Sequence, residues 1–484
     1  MGAEDKTTKT QPEMSQPEHQ RAASIRGIDG DEINTINDGG DIMDTKEQSD
    51  EPAQNIFNQG GKNYRTLGKW DTVFVLVTNQ VGLGVLSLPG FLGIIPGLVA
   101  IIGLGSLSAY TAYELLQFYR KYPHVVNVVD MCGIIGGRPL EIIAGIGLMI
   151  KVMMTCASAS VTLSVAFNTL SNHAFCTVSF VIIAVVACWV LCLPRTVKFV
   201  SQSGIPSTIS ILAAALTVMI SLGVDTPSQA PPGWDRKIQV IGNPTFRQGL
   251  NACLKICYAY AGNISFVSYM AEMKNPSRDF PMALACLEVF SITLYTIVAV
   301  AIFCLAGEYT TSPALGSAPR IAAKVAYGLV LPCVFATAMA FGHTGIKYMY
   351  VVAMRSIKAT HQVTDRSVKS WSIWVACVTL YWIIVFVISN AIPIFDSILS
   401  ISSATTIAWF TFGLSAIFWF HINKGQYTKN WKKITLCIIN GMLIVQSLFM
   451  NGGGLWSSIT ELLNIFENDK SSIRGVFSCG DNSI

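Results

Sequence analysis

The sequence predicts an all-α polytopic membrane protein with eleven transmembrane helices, and three observations carry that prediction. Hydrophobic residues make up 51% of the 484-residue chain and charged residues 13%, against about 25% charged in a soluble protein. From Trp70 onward, apolar runs near the ~20 residues that span a bilayer core follow one another. Two of those runs, the first and the sixth, are broken by small and polar residues in corresponding places. A formal net charge of +4 is too small to argue for nucleic acid.

Residues 1–69 come first, polar and nearly free of aromatics. They cannot bury enough apolar surface to offset their ordering entropy, which predicts a disordered cytoplasmic tail and excludes a cleavable secretory signal. The transporter-sized body follows over residues 70–450, and residues 451–484 form a C-terminal tail. Its runs are 71–91, 96–118, 140–170, 177–193, 202–224, 249–273, 281–306, 326–354, 371–392, 395–420 and 434–450. The third is long enough to tilt. Runs nine to eleven are flanked by Trp371, Trp374, Trp419 and Trp431, as interfacial anchors would be. A cytoplasmic N-terminus puts about eighteen basic residues inside and about seven outside. An odd number of crossings then sends the C-terminal tail outside.

Run one centres on Asn79-Gln80-Val81-Gly82-Leu83-Gly84-Val85-Leu86-Ser87-Leu88-Pro89. Glycine costs about 1 kcal/mol against alanine in a helix interior and proline more, so this run is expected to open at bilayer depth. Freed backbone groups are tolerated there only where they line a cavity or bind something. The alternative is close helix packing through small residues. Run six carries the second interruption, at Tyr258-Ala259-Tyr260-Ala261-Gly262-Asn263. Runs one and six lie five apart, so two five-helix units would have opposite topology. Interrupted helices in corresponding places of inverted halves point to a transport site. The opening at Leu83-Gly84 would offer amides and a positive dipole end to a carboxylate. Carbonyls near Asn79 and Gln80 would suit an ammonium or another cation. Both ends of an amino acid are thereby met. The candidate substrate-binding residues are Asn79, Gln80, Val81, Gly82, Leu83, Gly84 and Ser87 on one side. Tyr260, Ala261, Gly262 and Asn263 face them.

Two charges lie deep in apolar runs. Lys151, in the middle of run three, costs at least ~2.5–3.5 kcal/mol on insertion scales. It is either a cation standing in for a coupling ion or cycling its proton, or a lysine satisfied by helix carbonyls. Glu288 in run seven is either a structural partner or a proton carrier. The two are the candidate coupling residues. Lys255 lies nearer an interface and reads as snorkelling, and His343 as a hydrogen-bonded core residue. Glu114 and Glu272 fall toward the cytoplasmic ends as gate or loop partners.

Nothing in the sequence points to an enzyme, a cofactor or a metal. It has no nucleophile elbow, no phosphate loop and no cysteine–histidine group with zinc spacing. Most of the thirteen cysteines fall inside apolar runs, where cysteine packs as a small hydrophobe. An ion channel would more naturally show charge rings or a repeated filter. A non-transporting amino acid receptor on the same scaffold remains the rival function.

The ordered motifs also carry a resemblance. Gly39-Gly40-Asp41-Ile42-Met43-Asp44, Tyr64-Arg65-Thr66-Leu67-Gly68-Lys69-Trp70 and Gly84-Val85-Leu86-Ser87-Leu88-Pro89-Gly90 come first. Tyr258-Ala259-Tyr260, Met270-Ala271-Glu272-Met273-Lys274-Asn275-Pro276 and Ala322-Ala323-Lys324-Val325-Ala326-Tyr327-Gly328 follow. Together they resemble the amino acid/auxin permease family, and within it the fungal neutral amino acid permeases. The resemblance implies a LeuT-type 5+5 inverted repeat plus one extra helix. It further implies a permease that imports neutral amino acids across a fungal plasma membrane by alternating access and cation symport. The proton is the favoured cation, with sodium kept open because residues 79–84 also look like the unwound first helix of sodium symporters. The implied partners are the amino acid, the coupling cation and the lipid bilayer. Cys176 and Cys479 are the two cysteines predicted to face the oxidising side, and likeness to the fungal relatives implies a disulfide between them.

Overall fold

The computed structural model describes residues 65, 67–88, 93–195, 202–231, 233–236, 238, 240–359, 362–363, 367–392, 394–468 and 475–482. The predicted disordered tail lies outside the described residues except at its end, as do Pro89 and Gly90.

The regular secondary structure among the described residues is helical, apart from one isolated β-bridge between Leu67 and Met273. Helix α1 is Lys69–Gln80, followed by a 3-10 turn at Leu83–Ser87. Then come α2 (Ile94–Lys121), α3 (Val128–Ser171), α4 (Thr177–Cys192) and α5 (Gly204–Val224). Run six is split into α6 (Phe246–Ala259) and α7 (Asn263–Glu272). Next are α8 (Pro276–Ala306), α9 (Arg320–Ser356) and α10 (Val368–Ala391). Helix α11 (Phe395–Ser402) passes through a π-helical stretch, Ser403–Gly413, into α12 (Leu414–Ile422). Last, α13 (Trp431–Phe449) passes through a second π-helical turn, Met450–Gly454, into α14 (Leu455–Asn468).

Among the described residues, eight helices are long and apolar enough to cross a membrane. The three predicted runs outside that set have visible reasons. Runs one and six are each cut into two short pieces, and α4 has only 16 residues. Elsewhere the runs and helices coincide to within a few residues, with two extensions. Helix α3 starts ahead of run three and turns sharply at Gly137, whose φ of 63° suits glycine. The last span continues past Met450, because the three glycines 452–454 are accommodated in a π-helical turn instead of ending the helix.

Helix α9 packs chiefly on α5 and α3, while α1 and α2 pack on α8. At the end where α1 begins, the chain closes on itself. Leu67 N–H donates to the Glu272 carbonyl (3.1 Å) and Lys274 N–H donates to the Leu67 carbonyl (3.1 Å). Lys347 meets Glu272 at 3.0 Å. The other end holds the larger cavity.

Candidate functional site

The two breaks lie against each other. A Cβ on Gly84 would sit 2.5 Å from the Ala259 Cα, and one on Gly262 would sit 2.7 Å from Gln80 Oε1. The first contact is with backbone, so the interruption in run one touches that in run six because position 84 is glycine, while at Gly262 the neighbours are the ends of the Gln80 and Phe266 side chains.

Helix α1 stops at Gln80 because Val81 and Gly82 leave helical geometry. Helix α6 begins with a capping box in which the Thr245 side chain accepts from Gln248 N–H. It ends at Ala259, and α7 restarts at Asn263. The freed backbone groups have identifiable neighbours. Asn79 Nδ2 donates to the Gly262 carbonyl (3.1 Å), and Ser108 Oγ to the Tyr260 carbonyl (3.2 Å). The Tyr295 hydroxyl lies 2.9 Å from both the Gln80 and the Ala259 carbonyl oxygens. It carries one hydrogen, so it can serve only one break at a time. The Gln80 carbonyl also accepts from Gly82 N–H (3.1 Å).

Between the breaks lies a small cavity lined by Asn79, Gln80, Gly82, Gly84 and Ala261 together with Lys151, Thr155, Tyr258, Thr337 and Phe341. Its volume is about 10 Å³, room for roughly one water. Lys151 fills it. The ammonium donates to Thr155 Oγ1 (2.6 Å) and stands over the rings of Phe341 (4.5 Å) and Tyr258 (4.9 Å). It is 1% exposed. Among the described residues no carboxylate pairs with it. Glu288 instead reaches Gln80 Nε2 (3.4 Å) and Ser291, which orients Gln80 from behind. Among the described residues Gln80 Oε1 and Thr337 Oγ1 are buried without a hydrogen-bond partner, an arrangement that suits a donor from a ligand or a water.

The remaining candidates fall elsewhere. Asn263 turns away from the cavity and donates to Thr111 Oγ1 (2.9 Å), pinning α7 to α2. The Tyr260 ring lies against Gly105 and stacks edge-on with Tyr295. The Val81 carbonyl faces Cys333 on α9, and Leu83 opens the 3-10 turn. Ser87 caps the Gly84 carbonyl (2.9 Å) and lines a second cavity. Sequence reasoning did not single out Thr155, Tyr295, Thr337 or Phe341. They sit in unbroken helices where nothing but packing distinguishes them from neighbours.

The second cavity, about 230 Å³, lies beyond Ser87 and Leu88 toward the end where α6 begins, and shares no lining residue with the first. Across it Lys255 of α6 pairs with Asp396 of α11, which also accepts from Ser312. The expectation of a snorkelling Lys255 is therefore corrected: its ammonium finds a carboxylate across the cavity, because α6 stands against α11 there. At that end Cys176 and Cys479 are joined by a disulfide, ahead of α4. His343 is buried, with neither ring nitrogen hydrogen-bonded to a described residue.

The chain has recognisable relatives. The family model described as "Transmembrane amino acid transporter protein" matches residues 65–460. The "N amino acid transport system protein" of Neurospora crassa is 26% identical over 488 residues, covering 98% of each chain. A "Transmembrane transporter" of Fusarium pseudograminearum is 27% identical over 435 residues, 88% of this chain and 90% of the relative. Among solved structures, that of MhsT in complex with L-phenylalanine superposes with a TM-score of 0.51 at 13% identity. It covers 82% of this chain and 98% of MhsT, which is a likeness of fold.

Proposed function

The chain belongs to the transmembrane amino acid transporter family, of transporters and not enzymes, and from that premise we propose that it imports neutral amino acids by cation symport and alternating access. The coupling cation in this reading is the proton, the membrane is the plasma membrane, and the N-terminus is cytoplasmic. The architecture is eleven crossings, with a 5+5 inverted repeat and one added span. The three helices too short or broken to qualify as simple spans are then α4 and the two interrupted ones.

The observation that carries the proposal is the meeting of the two breaks around a cavity on which the buried side-chain oxygens of Gln80 and Thr337 have no hydrogen-bond partner among the described residues. The substrate carboxylate is assigned to the amides at Gly82–Gly84 and its ammonium to the carbonyls near Gln80 and Ala259. At about 10 Å³ the cavity holds no amino acid, against the ~300 Å³ or more of small-molecule pockets. Loading therefore requires α6 and the 3-10 turn to separate from α9 and α3, while Leu67, Glu272 and Lys347 keep the opposite end shut. Lys151 is the central charge that this separation exposes, and it couples the cycle to protons by giving up and regaining one.

Labelled uptake of an amino acid panel, with and without a proton gradient and with and without sodium, tests the reading. Saturable uptake of neutral amino acids that collapses with the proton gradient and ignores sodium is the expected result. Binding without uptake, or without counterflow in proteoliposomes, would replace it with the receptor reading.

A further inference from the structure

We infer that the C-terminal helix α14 is a hinged lid over the 230 Å³ cavity, so that an amino acid reaches the central site only when α14 swings off α6. The inference rests on the transport reading above and adds to it the element that controls access.

The hinge is the π-helical turn Met450–Gly454, which carries three consecutive glycines; a side chain on Gly452 would meet nothing within 4 Å. π-helical turns inside α-helices favour functional places, and hinges need only a few residues that absorb the backbone change. Beyond the hinge, α14 lays Ser458, Glu461 and Ile465 into the wall of the cavity. It packs on α11 and fastens to α6 through side chains at three levels. The Ser457 hydroxyl donates to the Arg247 carbonyl (3.2 Å), Ser458 to Asn251 Oδ1 (3.3 Å), and Arg247 Nε meets Glu461 at 3.1 Å. The opposite face, with Trp456, Ile459 and Leu463, is exposed.

These fastenings are polar, and only the outermost is reached by solvent. The Arg247–Glu461 pair is about a third exposed on each side, and such pairs contribute little net stability. The far end of the chain is anchored more firmly. Cys479 is bonded to Cys176, the Gly480 carbonyl accepts from Thr177 Oγ1 (2.7 Å), and Asn482 donates to Ser164 (3.0 Å). With a hinge at one end and a covalent anchor beyond the other, α14 is set to rock and not to detach. Beneath it, the Lys255–Asp396 pair joins α6 to α11 at the depth where a zwitterion would next exchange partners.

The test cross-links α14 to α6. In an Arg247→Cys, Glu461→Cys double variant, a short bifunctional thiol reagent is applied to intact cells and cross-linking is scored by mass. Initial uptake is expected to fall about tenfold or more in the cross-linked fraction, as for a blocked gating step. Cleaving the linker should restore it, and the single variants should not respond. Cross-linked protein that transports at its former rate would overturn the lid. If the first pair is inactive before cross-linking, the Asn251→Cys, Ser458→Cys pair gives the same two outcomes. Failure of the untreated wild-type protein to take up amino acid would instead count against the transport reading.

Discussion

Run six and run ten both lose the α-helical pattern partway along, with opposite consequences. In run ten the π-helical stretch Ser403–Gly413 frees carbonyls that neighbours occupy at once. Asn451 donates to the Ala404 carbonyl (3.0 Å) and Ser447 to the Ala408 carbonyl (2.8 Å), so the irregularity stitches this element to α13 and its π-helical turn. In run six the carbonyls of Ala259 and, across from it, Gln80 share one tyrosine hydroxyl beside a cavity. An irregular helix is therefore not a site by itself. What separates the two is the cavity that the paired breaks enclose.

Four substitutions sharpen or break that contrast. Gly84→Val should cost most: its side chain collides with Ala259, and separating the two breaks by an ångström predicts a loss of transport on the order of 100-fold. Uptake per molecule at the surface checks it, and wild-type uptake would contradict the close approach. Lys151→Met should raise thermal stability, because a buried charge with no carboxylate partner among the described residues is removed. The same variant should flatten the pH dependence of uptake, and an unchanged pH profile would remove Lys151 from the coupling step. Tyr295→Phe deletes the hydroxyl shared by both breaks. Leaving buried carbonyls without their donor costs about 1–3 kcal/mol, read as a rise in KM with surface expression maintained. Asn451→Leu should be mildest, losing about 1 kcal/mol of stability with KM unchanged. A large KM change there would mean that run ten also takes part in binding.

The interruptions were legible in the sequence because glycine and proline inside an apolar run disfavour an unbroken helix. Positions 82 and 84 of the broken first run, and 261 beside them, line the cavity together with Asn79 and Gln80. The sequence could not reveal which side chains on unbroken helices turn inward. Thr337 and Phe341 look like ordinary α9 core, and they become cavity walls only because α9 passes Gly82, just beyond the end of α1. Tyr260 and Asn263 show the converse limit. They flank the break in sequence, but the restart of α7 swings both toward α2. The covalent tie at Cys176 followed from compartment logic and resemblance, whereas the helical course of residues 455–468 was hidden by three glycines that resemble a terminus.

Counterflow in proteoliposomes tests the central claim most directly, comparing wild type, Gly84→Val and Asn451→Leu at equal reconstituted amounts. Wild type and Asn451→Leu are expected to exchange labelled neutral amino acid at similar rates while Gly84→Val exchanges almost none. Equal exchange by all three would show that the paired breaks do not hold the substrate.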